Sequence, residues 1–129
     1  MKTASYSRNG PANSVLEFAS KPTPKPAAGE VLVKLATSGV NPSDVKSRAG
    51  REPVFDFVVP HSDGAGVIDA VGEGVDKARV GERVWLWNAQ WQRQFGTAAE
   101  YVALPSFQAV KLDDDISFEV GACLGIPGL

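Results

Sequence analysis

Short apolar runs separated by Gly, Pro, Asn and Asp recur along the whole chain, and this pattern restricts the fold more than any other feature of the sequence. Brief runs bounded by turn residues are typical of the strands of a β-barrel or β-sandwich. The sequence therefore predicts a mainly β domain, with strands over residues 15–19, 30–40, 66–71, 79–86, 98–104 and 109–112.

The run over residues 30–40 alternates most clearly. Val31, Val33 and Leu35 fall on one face of a pleated strand, and the residues between them fall on the other face. This pattern indicates a half-buried strand. The preceding residues 21–29 carry three prolines, which exclude a central strand and indicate an extended crossing segment.

A short helix is predicted directly after this strand. Asn41 can accept hydrogen bonds from the free N–H groups of a helix start, Pro42 fits the first helical position, and Asp44 favours the positive end of the helix dipole. The helix should extend to about Ala49, and Gly50 can end it in a left-handed conformation.

Two Gly-x-Gly pairs, Gly64/Gly66 and Gly72/Gly74, raise the question of a dinucleotide-binding loop. That fingerprint needs a third glycine three residues later and a strand that leads into a helix, and here extended segments are predicted on both sides. The pairs are therefore interpreted as hairpin glycines, and no nucleotide-binding fold is expected within the chain.

The charge balance excludes several partners. The 129 residues include 13 basic and 15 acidic side chains, for a net charge of −2, so neither nucleic acid nor an acidic membrane is expected to bind.

No signal peptide or membrane-spanning run is present in the sequence, which favours a soluble, reducing, cytoplasmic setting. One histidine and one cysteine cannot supply a typical zinc site or an internal disulfide.

The histidine and the cysteine are interpreted as structural. His61 precedes Ser62 and Asp63, but adjacent side chains of an extended chain point in opposite directions and cannot easily form a catalytic triad. A surface or packing role is favoured for His61. Ser117 can cap a last helix, in which Cys123 is expected to lie in the core.

The aromatic segment over residues 85–95 has two interpretations. Its tryptophans and amide side chains could form an apolar wall with hydrogen-bonding groups around a planar substrate. Alternatively, it is a strand that sends Trp85 and Trp87 into the core, while the choice stays open for Trp91 and Phe95.

The order of these pieces resembles the GroES-like catalytic domain of the medium-chain dehydrogenase/reductase superfamily, in particular its zinc-independent quinone oxidoreductase branch. Six segments carry the resemblance in order: residues 29–34, 39–44, 63–67 with 71–75, 81–84, 99–102 and 125–129. The resemblance implies a partly open GroES-like β-barrel with short helices over residues 1–129. It also implies that the chain ends before a Rossmann domain that binds NADPH, so that the 129 residues alone should not turn over substrate. The apolar residues 123–129 are expected to pack on a neighbouring copy or to fray.

The resemblance also aligns the positions of the catalytic zinc ligands of other members. Here these positions hold Asn41, Ser62 and Ile126, so all three ligands are absent. This pattern is similar to that of a reductase that transfers hydride from NADPH to a quinone or an α,β-unsaturated carbonyl without zinc. Hydrogen-bond donors must then stabilise the charge that develops on the acceptor oxygen.

The site residues follow from the same resemblance. Asn41 is the candidate catalytic donor to a carbonyl or to the cofactor ribose, although an Asn before Pro is also an ordinary helix cap. Pro42, Ser43 and Asp44 are expected near the cofactor. Lys46, one helical turn after Pro42, could supply a cation to a phosphate or to the acceptor, although a solvated lysine is the simpler interpretation.

The substrate side of the site is assigned to Lys46, Asn88 and Trp91, and the full-length protein is expected to be a homodimer. An alternative function of a different class is a non-catalytic GroES-like module that presents the aromatic segment to a protein partner. A stoichiometric partner that is lost on Trp91→Ala would favour that alternative.

Overall fold

The computed structural model describes residues 1–128 and contains a five-stranded antiparallel sheet and a separate two-stranded hairpin. The strands are β1 (Lys2–Ser5), β2 (Glu17–Ser20), β3 (Glu30–Gly39), β4 (Asp63–Val71), β5 (Arg83–Leu86), β6 (Tyr101–Pro105) and β7 (Ala109–Lys111). The α-helices are α1 (Ala12–Val15), α2 (Pro42–Gly50) and α3 (Phe118–Gly121), and single 3₁₀ turns cover Lys77–Arg79, Ser106–Gln108 and Ile126–Gly128. The prediction of a mainly β domain with short helices is confirmed.

The sheet has the strand order β6-β3-β4-β5-β7, and β1 pairs with β2. Its buried side chains are short and branched, which suits the close packing of twisted strands. They include Val31, Val33, Ile68, Val84, Leu86, Val102 and Leu104. Burying each such side chain contributes roughly 1.5–3 kcal/mol. This core fixes the ends of β3 and β4, next to which the site described below is formed.

Strand β3 departs from strict alternation. Val31 and Val33 are buried as predicted, but Leu32 is also buried, at 7% exposure. The pairing of β3 with β4 shifts register between Leu32 and Val33 and again between Leu35 and Thr37. Leu32 nevertheless lies on the face opposite Val31 and Val33, as predicted, because its pairing with Ala103 of β6 continues the register of its neighbours. This part of β3 is therefore buried on both faces and not half-buried as predicted.

Several strand ends differ from the prediction. β2 begins at Glu17 instead of residue 15, because Ala12–Val15 form a helical turn that packs beside Tyr6. β5 begins only at Arg83 and β6 only at Tyr101, because turns and bends occupy the residues before them.

Helix α2 starts at Pro42, directly after Asn41, as predicted. Its end was predicted wrongly, because Gly50 is the last helical residue and does not stop the helix in a left-handed conformation. The backbone becomes extended at Arg51 (φ −124°), whose N–H donates to the carbonyl of Ser47. The helix thus ends without the conformational freedom of a glycine.

The two Gly-x-Gly pairs have different roles. Gly74 adopts a φ of +85° in the turn after β4, as expected for a hairpin glycine. Gly64 and Gly66 instead lie inside β4, so the hairpin prediction is wrong for them. A Cβ on Gly66 would lie 2.1 Å from the carbonyl oxygen of Lys34, so the close approach of β3 requires glycine here.

Two predictions about the core are also wrong. Val84 and Leu86 are the core residues of β5, and the pleat therefore turns Trp85 and Trp87 to the other face, where both are half-buried. Cys123 is exposed instead of buried, because α3 ends at Gly121. The cap of α3 is confirmed, since the hydroxyl of Ser117 accepts from the N–H of Val120.

The last described residues pack on their own chain. The N–H of Ile126 donates to the side chain of Asp63 in β4, which anchors the segment that was expected to fray or to bind another copy. Leu129, which that expectation included, lies outside the described residues. Within residues 1–128, no helix is long and apolar enough to cross a membrane.

Candidate functional site

A concave pocket of about 520 Å³ lies between α2, the segment that follows α2, and the loop after β5. We call it the α2 pocket. Its lining includes four of the residues predicted from the sequence, namely Ser43, Asp44, Asn88 and Trp91. Tyr6, Ser62 and Ile126 also line it. The fold therefore brings the start of α2 and the aromatic segment together around one cavity.

The other predicted residues lie beside this cavity. Asn41 is buried, at 6% exposure, directly before α2. Pro42 and Lys46 are exposed on α2 and do not line the pocket. Two of the three helix-start residues expected near a cofactor, Ser43 and Asp44, thus reach the cavity.

The side chain of Asp63 links the start of α2, the start of β4 and the last described turn, beside the pocket. It is fully buried at the start of β4. Its Oδ2 accepts from Nδ2 of Asn41 at 2.7 Å, and its Oδ1 accepts from the backbone N–H of Ile126 at 3.1 Å. A Cβ on Gly125 would lie 2.3 Å from Oδ1, so only glycine permits this approach of the chain. One carboxylate therefore fixes the start of α2 and the last described turn against β4.

The positions that zinc-dependent relatives are expected to use for metal ligands do not fit zinc in this chain. Asn41 offers an amide, Ser62 a hydroxyl and Ile126 an aliphatic side chain, whereas structural and catalytic zinc ions take thiolate, imidazole and carboxylate ligands. The carboxylate next to them, Asp63, already accepts from Asn41 and Ile126. Within residues 1–128, no three His, Cys, Asp or Glu side chains converge on a common point where a metal could bind.

Asp44 is a half-buried acid at the pocket. Its Oδ2 accepts from the backbone N–H of Asn41 at 2.7 Å, and its own N–H donates to the carbonyl of Asn41. Burial raises the pKa of Asp44 above its ordinary value, and the hydrogen bond from Asn41 opposes this rise. The carboxylate is thus held at the first turn of α2, where the positive end of the helix dipole stabilises its negative charge.

Tyr6 is the residue that sequence reasoning missed. It packs with Val15 and Val58, and its backbone N–H donates to the carbonyl of Val58 at 3.0 Å. Burial raises the pKa of its phenol, and the charge of Asp44 raises it further. The hydroxyl therefore remains protonated and can donate. No local motif marks this tyrosine, because its partners come from a distant part of the chain.

The loop after β5 gives the pocket its aromatic edge. Asn88 and Gln92 both adopt left-handed backbone conformations, at φ 49° and 56°, and so turn the loop sharply on either side of Trp91. The guanidinium of Arg93 closes the loop by donating to Ala89 and Gln108. Trp91 remains 64% exposed at the pocket, which fits the substrate-wall interpretation better than burial in the core.

His61 lies outside the α2 pocket. Its Nδ1 is 2.9 Å from the hydroxyl of Ser38, and it forms no hydrogen bond with its sequence neighbours Ser62 and Asp63. Burial lowers the pKa of the imidazole, against the opposing influence of the nearby carboxylates. The half-buried ring is thus part of another group of side chains, which is described below.

Comparison with known proteins identifies the family. Residues 27–114 match the alcohol dehydrogenase GroES-like domain. The quinone oxidoreductase of Rattus norvegicus is 35% identical over 107 residues, which cover 81% of this chain and 31% of the rat protein. A quinone oxidoreductase structure from Pseudomonas syringae pv. Tomato DC3000 superposes with a TM-score of 0.87 at 33% identity, covering 98% of this chain and 38% of that one.

A mycobacterial protein solved in complex with NADPH is also similar, with a TM-score of 0.83 and 32% identity over 95% of this chain and 37% of that chain. The present chain thus spans about a third of the length of the curated relatives that it matches. The matched segment includes Asn41, Asp63 and most of the pocket lining. The chain belongs to the alcohol dehydrogenase GroES-like domain family, within the medium-chain dehydrogenase/reductase superfamily.

Proposed function

We propose that this chain forms the substrate-binding half of an NADPH-dependent reductase that acts on quinones or α,β-unsaturated carbonyls without zinc. One observation carries the proposal. Where zinc-dependent relatives are expected to hold metal ligands, Asn41 and Ile126 donate to the carboxylate of Asp63, beside a pocket whose lining includes neutral hydrogen-bond donors. The similarity to quinone oxidoreductases supports the same substrate class.

The neutral donors of the pocket suit the chemistry of such an acceptor. Reduction of a quinone or enone by hydride places negative charge on the acceptor oxygen, and donors that are already oriented towards that oxygen stabilise it. Four residues with hydroxyl or amide donors line the cavity, namely Tyr6, Ser43, Ser62 and Asn88. We assign Tyr6 as the principal donor, because a phenol is a more acidic hydrogen-bond donor than a serine hydroxyl or an amide.

The apolar lining suits a flat ring. Val54, Phe55 and Trp91 lie around the pocket, and Val54 is 89% exposed. Aromatic and aliphatic side chains around a few polar groups are typical of small-molecule sites. In the proposed complex, Trp91 and Phe55 contact the faces of the acceptor ring while the donors contact its oxygen.

Asn41 is proposed as a catalytic donor whose orientation is set by Asp63. An amide nitrogen carries two hydrogens, and one of those on Nδ2 is donated to Asp63. We propose that the second is donated, from beside the pocket, to the acceptor or to the cofactor ribose. Asp63 is a positioning residue in this scheme, because its carboxylate fixes the amide without contacting the substrate.

The cofactor is proposed to be NADPH, which supplies the hydride when bound. Ser43 and Asp44 fit a ribose or nicotinamide amide, because their side chains reach the pocket. Pro42 adjoins them, and the exposed ammonium of Lys46 is proposed to attract a phosphate. Neither Gly-x-Gly pair leads into an α-helix, so we assign phosphate binding to a separate Rossmann domain. The whole protein is further proposed to be cytoplasmic and homodimeric.

The test is NADPH oxidation by the full-length protein that contains this domain, with 1,4-benzoquinone or methyl vinyl ketone and with EDTA present. We expect turnover of at least one acceptor. Tyr6→Phe should lower kcat by about tenfold or more, because the acceptor oxygen loses a donor while the ring remains. Tyr101→Phe, in β6 and outside the pocket, is the matched control and should retain activity. Zinc-dependent alcohol oxidation without quinone or enone reduction would refute the proposal.

A second candidate function is a non-catalytic module that binds a protein partner through the aromatic loop. The exposure of Trp91 and of Val54 on one rim favours it. It predicts that the full-length protein binds no NADPH and that a stoichiometric partner is lost on Trp91→Ala. NADPH binding together with quinone turnover would exclude it.

A further inference from the structure

A second groove, also of about 520 Å³, shares no lining residue with the α2 pocket. It lies between β1, the second half of β3 and the residues just before β6, and we call it the His61 groove. Its apolar lining includes Phe18, Leu35 and Ala98, and its polar lining includes His61. Phe18 is 97% exposed, which is unusual for a phenylalanine and leaves both faces of its ring open.

A chain of hydrogen bonds fixes the protonation of His61. Thr97 Oγ1 lies 2.6 Å from the carbonyl oxygen of Asp63, which can only accept, so Thr97 donates its single hydroxyl hydrogen there. In the 2.8 Å hydrogen bond between the hydroxyls of Ser38 and Thr97, Ser38 must therefore be the donor. Ser38 has no hydrogen left for His61, so Nδ1 of His61 carries a hydrogen and donates to Ser38 at 2.9 Å. A neutral His61 therefore has its lone pair on Nε2.

The backbone holds the ring in place. His61 adopts a φ of 81°, in the left-handed region that non-glycine residues rarely occupy. Its carbonyl accepts from the N–H of Thr97 at 2.8 Å, and Gly96 approaches so closely that a Cβ there would lie 2.3 Å from that carbonyl oxygen. The surrounding chain thus fixes His61 in this conformation at the groove.

The ring is neutral near pH 7, because burial lowers the pKa of His61 from its ordinary value of 6.5. The carboxylates of Asp44 and Asp63 oppose this shift, and Lys2 and Glu100 are the charged residues that line the groove. Nε2 has no hydrogen-bond partner among residues 1–128 and is not buried, so it is open to a ligand.

We propose that the His61 groove binds an uncharged phenol, whose hydroxyl donates to Nε2 of His61 and whose ring packs against Phe18. The chemistry of the groove selects this class of ligand. A fixed lone pair recognises a hydroxyl donor and rejects a second acceptor, while the apolar lining favours a ring over a charged molecule. The site does not depend on the function proposed for the α2 pocket, because the two cavities share no residue.

The experiment is nitrogen-15 NMR of the 129-residue chain, in which His61 is the single histidine and its ring signals are therefore unambiguous. Near pH 7 the spectrum should show the tautomer with hydrogen on Nδ1. Phenol should shift the Nε2 signal in a saturable manner, whereas anisole, which has the same ring but no hydroxyl donor, should bind about tenfold more weakly. Asp44 lines the α2 pocket and acts on His61, so the titration is repeated with Trp91→Ala, which alters only the α2 pocket and should leave the Nε2 shift unchanged.

Two variants complete the test. His61→Gly suits the positive φ and should fold, and it should weaken phenol binding by about tenfold, measured by calorimetry. Ser38→Ala should leave the imidazole in place but should no longer fix its tautomer. The fraction of His61 with hydrogen on Nε2 should therefore rise, and the affinity for phenol should fall several-fold. A tautomer with hydrogen on Nε2 in the unmodified chain, equal binding of anisole, or unchanged phenol binding by His61→Gly would each overturn the proposal.

Discussion

Asn41 and Asp63 are joined by a buried hydrogen bond of 2.7 Å from Nδ2 to Oδ2, which fixes the start of α2 against the first residue of β4. Both side chains are shielded from solvent, at 6% and 0% exposure. In the low dielectric of an interior, a charged acceptor makes a strong hydrogen bond and is costly to leave without one. This pair therefore determines both the stability of the site and the direction in which the Asn41 amide faces.

Asp63→Asn should destabilise the chain while changing few atoms. The carboxylate accepts from Asn41 with one oxygen and from Ile126 with the other, whereas an amide has a single acceptor and places an N–H₂ group against one of these donors. We expect a loss of about 1–3 kcal/mol, seen as a fall in melting temperature of roughly 5–10 °C. Asp69→Asn, at an exposed position of the same strand, is the control and should leave the melting temperature nearly unchanged. Equal melting of the two variants would contradict this role of Asp63.

The sequence predicts those parts of the fold that depend on neighbouring residues. Asn41, Pro42 and Asp44 start α2 through contacts within four residues, and the alternation of residues 30–40 marks β3. Which face of β5 enters the core could not be predicted in the same way. Trp85 and Trp87 alternate as regularly as Val84 and Leu86, and only the packing of the sheet decides which pair enters the core.

The candidate site was only partly predictable for the same reason. The resemblance identifies Asn41, Ser62 and Ile126 as positions that belong together, but it does not indicate that Asp63 joins two of them. Tyr6 reaches the pocket through a pairing with Val58, more than fifty residues away in sequence. Contacts of this range leave no periodic signal in a single sequence.

Two glycine substitutions should change stability in opposite directions. Gly50→Ala should stabilise the chain by about 0.5–1 kcal/mol, because the residue is helical and a Cβ there meets no atom within 4 Å. Gly66→Ala should be strongly destabilising, since its Cβ would overlap the backbone carbonyl of Lys34, which cannot move without separating β3 from β4. Urea unfolding of both variants measures the difference. Similar midpoints for the two would show that the strands can separate at Gly66.

His61 should make the stability depend on pH below about 6.5. Because the folded pKa is lowered from 6.5, the unfolded chain binds a proton in this range before the folded chain does. The free energy of unfolding should therefore fall as the pH drops from 7 through the folded pKa, and the loss should level off below it. Comparison of the chain with His61→Asn, whose side chain does not titrate and tolerates a positive φ, isolates this contribution. Parallel pH profiles for the two proteins would show that the imidazole is not desolvated.

Trp91→Ala should weaken binding of the proposed quinone acceptor without weakening the fold. The side chain is 64% exposed, so its removal leaves no cavity in the core, but it takes away an aromatic face of the α2 pocket. In the full-length protein we expect KM for 1,4-benzoquinone to rise by about fivefold to tenfold, with a smaller change in kcat. Phe107→Ala removes an equally exposed ring, 70% open to solvent, that packs on Trp87 outside the pocket, and it should leave KM unchanged. If the two substitutions raised KM equally, the effect would be one of general surface hydrophobicity and the assignment of Trp91 to the substrate would fail.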